Sequence, residues 1–306
     1  MKSPLLNNII NSSSHNKTPS PQSRMSSPTG LPPRYQIRKL TLSDLPFAHA
    51  IITHANLFHN AVWSRLHASD AVERSYRVFN TGAYNTSHGI ESGFSYGIFD
   101  TEYQYKRPES AATNGAVYWD PELHAASSGQ DLLEQMDFPL VSVALAYDPV
   151  ATPLDMVKFQ PVFDALPLFP KLVSITEAHD IRPPEERKPK EVGECLFRCG
   201  TATRADYEGK GLARALAAYL MTEAKKAGFK ATQVGTVNNR LNAIWERVPG
   251  QVGAGVRGVE GAKSRVVSVV DLETYEEEEV GEDGKVRKVN PFLGAKVLRK
   301  CIYVTL

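Results

Sequence analysis

Two glycines one residue apart, Gly209 and Gly211, lie in the stretch Tyr207-Glu208-Gly209-Lys210-Gly211-Leu212-Ala213. Upstream, Leu196 to Ala202 reads as a strand. Downstream, Leu212, Leu216 and Leu220, with Ala213, Ala217 and Ala224 beside them, mark one stripe of a helix that Gly228 closes. A glycine-bearing turn that opens a helix leaves backbone N–H groups unpaired at the positive end of the helix dipole. That chemistry suits an anion, most often a phosphate. A Walker A loop is excluded, because Leu212 follows the second glycine and no hydroxyl is placed for magnesium. A dinucleotide fingerprint is excluded, because Arg214 stands where its third glycine belongs. An ordinary strand-to-helix turn shares the pattern. The context separates the two readings: a second strand over Lys230 to Thr236, then Asn239, then a helix over Leu241 to Arg247.

This stretch resembles the acyl-CoA pyrophosphate loop of the GNAT N-acetyltransferase family, and Asn239-Arg240-Leu241-Asn242-Ala243-Ile244-Trp245-Glu246-Arg247 resembles the family's second motif. The specific likeness covers about a sixth of the chain. A weaker one lies at Tyr35 to Asp44, like the family's first strand and the start of its first helix. The resemblance implies an α+β fold, with a mixed, mostly antiparallel sheet splayed between its fourth and fifth strands, flanked by helices and carrying large insertions. It implies acetyl-CoA as co-substrate, with no metal. Thr201, Ala202 and Thr203 would face the pantetheine and the thioester carbonyl. Glu208, Gly209, Lys210, Gly211, Leu212 and Ala213 would hold the pyrophosphate, and Asn239 would reach the pantetheine. Two residues depart from the pattern. Asp206 stands where the family has Gln or Arg, and an acid adds no positive charge to a pyrophosphate site. Trp245 stands where many members carry a tyrosine that protonates the leaving thiolate.

Transfer to an amine needs a base, because an ammonium has no lone pair. Glu194, Glu177 and His179 are the candidates, all near the start of the fourth strand or in the segment expected to cover it. Cys199 has no visible His–Asp partnership, so direct attack is expected over an acyl-enzyme. Tyr207 and Tyr303 are alternative proton donors to the thiolate. The expected activity is acetyl transfer to a small amine. A non-catalytic CoA-binding or interaction module and a protein or peptide N-acetyltransferase are the alternatives.

The charged and apolar fractions are those of a soluble globular protein. A formal net charge of +1 over 306 residues gives no general pull toward nucleic acid or an anionic membrane. No apolar run reaches the length of a membrane helix; the longest, Phe138 to Tyr147, suits a buried strand. Three cysteines form no disulfide framework, which points to a reducing, cytoplasmic setting. His49, His54 and His59 recur every five residues, which fans them around a helix and forms no metal pair.

Residues 1–32, rich in Ser, Asn and Pro, are expected to be a disordered tail, followed by a single acyltransferase domain over 33–306. Leu45 to Phe58 and Ala61 to Val78 read as helices, Gly93 to Phe99 and Pro139 to Tyr147 as strands. A long insertion lies between these strands, from Tyr103 to Asp137, with a short helix near Asp131 to Gln135. Asp148 to Arg187 mixes large apolar residues with seven prolines, which predicts a short helix and a packed loop over the sheet. Gly250 to Gly261 reads as a flexible glycine stretch. Ser264 to Tyr275 and Lys296 to Leu306 read as a final strand pair joined by an acidic hairpin with a turn at Asp283-Gly284.

Overall fold

A computed structural model describes residues 30–247 and 259–306. Most of the expected tail and of the Gly250–Gly261 stretch lies outside the described residues. The end of the expected tail is within them, and Leu31 is buried in the cluster that holds Tyr96, Ile98 and Leu212.

Seven strands form one sheet: β1 (Tyr35–Lys39), β2 (Tyr96–Asp100), β3 (Leu140–Tyr147), β4 (Cys195–Thr203), β5 (Ala231–Thr236), β6 (Lys263–Asp271) and β7 (Leu298–Thr305). Their order is β1-β2-β3-β4-β5-β7-β6. Neighbours are antiparallel except β4 and β5, which run parallel. A parallel pair needs a crossover, and the helix after the glycine loop supplies it. The mixed, mostly antiparallel α+β architecture expected from the sequence is thus present.

The longer helices are α1 (Leu45–His54), α2 (Ala71–Thr81), α3 (Tyr84–Glu91), α4 (Met156–Ala165), α5 (Phe169–Ala178), α6 (Leu212–Lys226) and α7 (Asn239–Glu246). β3 is buried along its whole length because both faces are covered, which explains its unbroken apolar run. Val143 and Leu145 pack with Ile51 of α1 and Ile90 of α3. Val141, Ala144 and Ala146 pack with Leu212, Leu216 and Leu220 of α6 on the other face. α6 ends where Gly228 turns to φ +90° and Phe229 N–H donates to the carbonyl of Ala224, a glycine C-terminal cap.

Two expectations need correction. The single helix expected over Ala61–Val78 is broken between a short turn, Trp63–Leu66, and α2, with His67 to Asp70 as the connection. The segment Asp148–Arg187 holds two ten-residue helices, α4 and α5, and a short turn at Pro184–Arg187. Its prolines sit where helices tolerate them. Pro170 and Pro184 lie in first turns, and only Pro161 is internal. The acidic hairpin forms as read, with Glu277–Val280 paired to Val286–Val289 and Gly284 at φ +74°. Among the described residues no helix is long and apolar enough to cross a membrane, and no group of three or more His, Cys, Asp or Glu is placed to hold a metal ion.

Candidate functional site

β4 and β5 pair over only four residues, from Cys195 opposite Ala231 to Arg198 opposite Val234, and then part. On its other edge β4 stays with β3 up to Thr203, with a register shift between Arg198 and Gly200 that leaves Cys199 as the extra residue. The N–H of Arg204 donates to the carbonyl of Val141, and Ala202 turns its carbonyl toward the Ser142 hydroxyl. Strand residues alternate in direction, so Gly200 and Ala202 serve β3, while Thr201 and Thr203 turn their main-chain groups into the opening between β4 and β5. Of the three expected donors, Thr201 and Thr203 face the opening and Ala202 does not. From Arg198 to Thr203 the opening runs along about 17 Å of strand.

The glycine loop lies at the far end of this opening. Gly209 and Gly211 have φ of +78° and +77°, the left-handed region that costs a residue with a Cβ. A Cβ at either would meet nothing within 4 Å, so conformation, and not crowding inside the chain, demands glycine. Gly211 is the residue before α6, and no side chain caps the N–H groups there. Glu208, Gly209, Lys210 and Gly211 are exposed, Ala213 is half-buried and Leu212 is buried in the core. The Lys210 ammonium lies 4.1 Å from the centre of the Tyr207 ring.

Asp206, the acid at an awkward place for an anion site, is already neutralised. The buried Arg204 guanidinium grips its carboxylate at 3.0 and 2.6 Å and donates a third bond to the Phe138 carbonyl. Tyr207 is buried and donates to Asp100, and burial with that bond pushes its hydroxyl well above the usual range. Tyr303 is held in the paired part of β7, opposite Gln233, and burial raises its pKa. Neither tyrosine faces the opening as a proton donor.

At the apex of the opening is Arg198, which the sequence reading passed over. It is 7 % exposed. Its Nε donates to the Leu145 carbonyl at 3.2 Å and one terminal nitrogen donates to Thr201 Oγ1 at 2.6 Å. The other terminal nitrogen is buried with no partner. No carboxylate pairs with it, and burial pulls its pKa down to about 10. The guanidinium carbon stands 5.1 Å from the centre of the Trp245 ring. Trp245 itself is 1 % exposed, packed among Ala217, Met221, Val234 and Ile302. Its indole is a wall of the core, and the group it supports is Arg198. Cys199, also at the apex, is a poor nucleophile, because burial pushes its thiol up to about 12.

None of the three expected bases reaches the opening. Glu194 precedes the paired end of β4, about 20 Å of strand from Thr201, and its carboxylate accepts from the N–H groups of Lys190 and Glu191. Glu177 and His179 lie at the end of α5, where Ser268 of β6 donates to the Thr176 carbonyl. They therefore sit over the outer strands, and His179 Nδ1 is bonded to the Ile175 carbonyl. These residues were chosen for closeness to the start of β4, whereas β4 opens at its other end. Asn239 is tied to β7, its Oδ1 accepting from Leu298 N–H, and Asn238 caps α7 in its place.

The imidazoles over the loop end of β4 come from α1. Ile52 stands over Gly200, within 3.3 Å of where a Cβ would be. One turn on, His54 donates through Nε2 to, and is held by, the Gly129 carbonyl at 2.8 Å, and feels the charges of Asp206 and Arg204. Burial brings its pKa down to about 4, so it is neutral at pH 7. His59, 5.3 Å from it ring to ring, is exposed at the end of a π-helical turn, Ala55–His59, that continues α1. Such turns recur at functional sites. Leu57 of the same turn packs in one cluster with Leu172 and Ile175 of α5, so α5 and the π turn together roof this face of the sheet.

No family model matches the chain, and no curated protein matches it. Solved structures similar to it include the C-terminal condensation domain of Ebony in complex with beta-alanyl-dopamine, at 12% identity, covering 88% of this chain and 98% of that one, with a TM-score of 0.47. Another is arylalkylamine N-acetyltransferase 2 from Aedes aegypti, at 10% identity, 88% and 97% coverage and a TM-score of 0.46. A third is a putative acetyltransferase from Salmonella typhimurium with its cofactor acetyl-CoA, at 12% identity, 89% and 94% coverage and a TM-score of 0.38. In its mostly antiparallel sheet, in the parting of its fourth and fifth strands and in the glycine loop that opens α6, the chain has the fold that the GNAT resemblance implies.

Proposed function

We propose that this chain is an acetyl-CoA-dependent N-acetyltransferase acting on a small amine by direct attack on the thioester. The observation that carries the reading is the opening between β4 and β5. A sheet that parts in its middle leaves main-chain donors unpaired, and such groups are costly unless something bonds them. Thr201 and Thr203 present those donors in a line that starts at Arg198 and ends at the uncapped start of α6. The donor set fits an extended acyl carrier with an amide-bearing arm and a charged phosphate end. The N–H groups of Leu212 and Ala213, with Gly209 and Gly211 giving close approach, would hold the pyrophosphate. Acetyl-CoA supplies the activated acyl group when bound.

The chain's own residues then have defined tasks. The amine nitrogen forms its bond to the acyl carbon while the carbon–sulfur bond breaks. The amine's proton must leave, and the exposed His59 imidazole, beside His54, is the group we assign to take it. The Arg198 guanidinium, dry and lacking a counter-charge, stabilises the negative charge that develops at the thioester. A thiol of ordinary acidity departs readily, so a dedicated acid at the Trp245 position is dispensable. The α5–π-turn roof encloses this face, which favours a small acceptor over a protein tail.

The test is calorimetry with acetyl-CoA, then thiol release against small amines and peptides. Micromolar binding with turnover on a small amine is expected. Tight binding with no thiol released by any acceptor would leave a CoA-binding module, and turnover on peptides alone would shift the reading to a protein acetyltransferase.

A further inference from the structure

A second guanidinium without a counter-charge among the described residues stands, half-buried, on the opposite face of the sheet from Arg198. Arg299, on β7, lies beside Gly235, the β5 residue that follows the last pair with β4. Its Nε donates to Thr176 Oγ1 of α5 at 2.8 Å, and the Thr176 hydroxyl in turn donates to the Leu172 carbonyl at 2.6 Å. This chain of bonds fixes the plane of the guanidinium. A Cβ on residue 235 would fall 2.7 and 3.0 Å from its two terminal nitrogens, so glycine is what lets the group lie flat against β5. Those two nitrogens make no hydrogen bond among the described residues, and they are not among the buried atoms left without a partner. They form an edge of donors lying over Gly235 of β5.

Arg299 has no counter-ion in its own chain. No Asp or Glu is within salt-bridge distance among the described residues, and residues 1–29 and 248–258 contain neither. Burial lowers its pKa to about 10, and a Cys301 thiol is the other influence on it. Holding a cation partly out of water without a partner is costly, and a positive charge kept under that condition suits an anion. Its planar edge, with one nitrogen already anchored and two free, matches a carboxylate held by two parallel N–H bonds. That edge lies beside Gly235, where β5 leaves β4, on the face roofed by α5 and the π turn that bears His59.

We propose that Arg299 is the carboxylate receptor of the acceptor site, so the acceptor is an amino acid and not a bare amine. This rests on the acyltransferase reading above. The α-amino group of such an acceptor would be presented at the apex of the opening with its carboxylate on Arg299. A simple arylalkylamine would leave the guanidinium desolvated and unpaired.

The experiment is calorimetry of the full-length chain with the L-amino acids, with and without acetyl-CoA, alongside the primary amide and the decarboxylated amine of each one that binds. At least one amino acid is expected to bind, with its amide and amine weaker by about 10- to 100-fold, the worth of a charge-assisted bond pair. Arg299→Met should erase that preference, and Arg299→Lys should restore little of it, because a point charge lacks the fork. Both variants should bind acetyl-CoA as the parent does, and Arg299→Met should melt at the parent's temperature or above it, since it removes a half-buried charge that has no counter-ion. Amides or amines that bind as tightly as the acids would overturn the proposal. So would an Arg299→Met protein that keeps the preference, or one that loses stability with binding unchanged, which marks a structural arginine. Acetyl-CoA binding without any amino-acid preference sinks this inference alone. Amino-acid binding without acetyl-CoA binding keeps the carboxylate site and removes the acyl-transfer reading.

Discussion

Arg198→Met separates a catalytic arginine from a structural one by giving the two roles opposite signs. Burial lowers the Arg198 pKa from the ordinary 12.5 to about 10, a gap that corresponds to about 3 kcal/mol against folding at neutral pH. Methionine removes that cost and fills similar space. It also removes the bonds to Leu145 and Thr201, about 1 kcal/mol each net, and the contact over Trp245, about 0.5 kcal/mol. The balance is near zero and slightly favours Met, so the melting temperature should stay within about 3 °C of the parent or rise. The rate should behave otherwise. Loss of a positioned donor at a developing negative charge costs on the order of 100- to 1,000-fold in kcat. The assay is steady-state thiol release with the best acceptor, beside acetyl-CoA calorimetry and a thermal melt. Rates within about threefold of the parent, in a variant whose melting temperature falls by many degrees, would show that Arg198 holds the sheet together and does nothing at the thioester.

Gly211→Val should weaken acetyl-CoA by about 10-fold or more while costing only about 1–2 kcal/mol of stability, because the left-handed φ of +77° is strained for valine but no neighbour is crowded; calorimetry and melts measure both, and unchanged affinity would remove the loop from the site. Deleting residues 1–29 should leave stability and acetyl-CoA binding intact, whereas deleting 1–32 also removes buried Leu31 and should cost about 2 kcal/mol by urea unfolding. Stability should fall as pH drops from 6.5 to 4. His54 has a folded pKa of about 4 against an ordinary 6.5, so the unfolded chain takes up the proton first, and about 3 kcal/mol is lost across that window. His54→Gln, which keeps a donor for Gly129, should flatten that slope in denaturant titrations at pH 7 and pH 5. Trp245→Ala should lose about 3–5 kcal/mol as a large core truncation, and Trp245→Phe much less, with activity largely kept; a folded Trp245→Phe protein with no activity would assign the indole a chemical role.

The strand, loop and helix from Cys195 to Lys226 were legible because three signals coincide there: alternation, two glycines at a turn, and a leucine stripe ending at Gly228. The final strand pair and its acidic hairpin were legible for similar reasons. α3 was not, because Tyr84–Glu91 buries Thr86 and Gly89 beside Ile90 and so shows no apolar period. The break at His67–Asp70 was hidden because apolar residues continue on either side of it. The three candidate bases lie away from the opening for a topological reason. Closeness in sequence to β4 does not say which end of β4 opens, and that is set by where β5 stops pairing with it.

The two arginines were invisible for a deeper reason. An Arg in a strand reads as a solvent-facing residue, and Arg198 follows Leu196 at the spacing that points to the same covered face, a weak signal that could have found it. Whether a buried cation is paired depends on contacts between distant segments: Arg204 meets Asp206 and Arg182 meets Asp180 close by, but Arg198 and Arg299 meet no acid. The fold therefore contains both solutions to burying a guanidinium. Where the role is to hold a loop, as at Arg204, the counter-ion is built in. Beside the opening, at Arg198 of β4 and at the Arg299 guanidinium over Gly235 of β5, none is found among the described residues. A protein only marginally stable does not carry about 3 kcal/mol at Arg198, and a smaller cost at half-buried Arg299, idly. The placement of that cost beside the opening is the physical argument for the proposal that a negatively charged partner binds there.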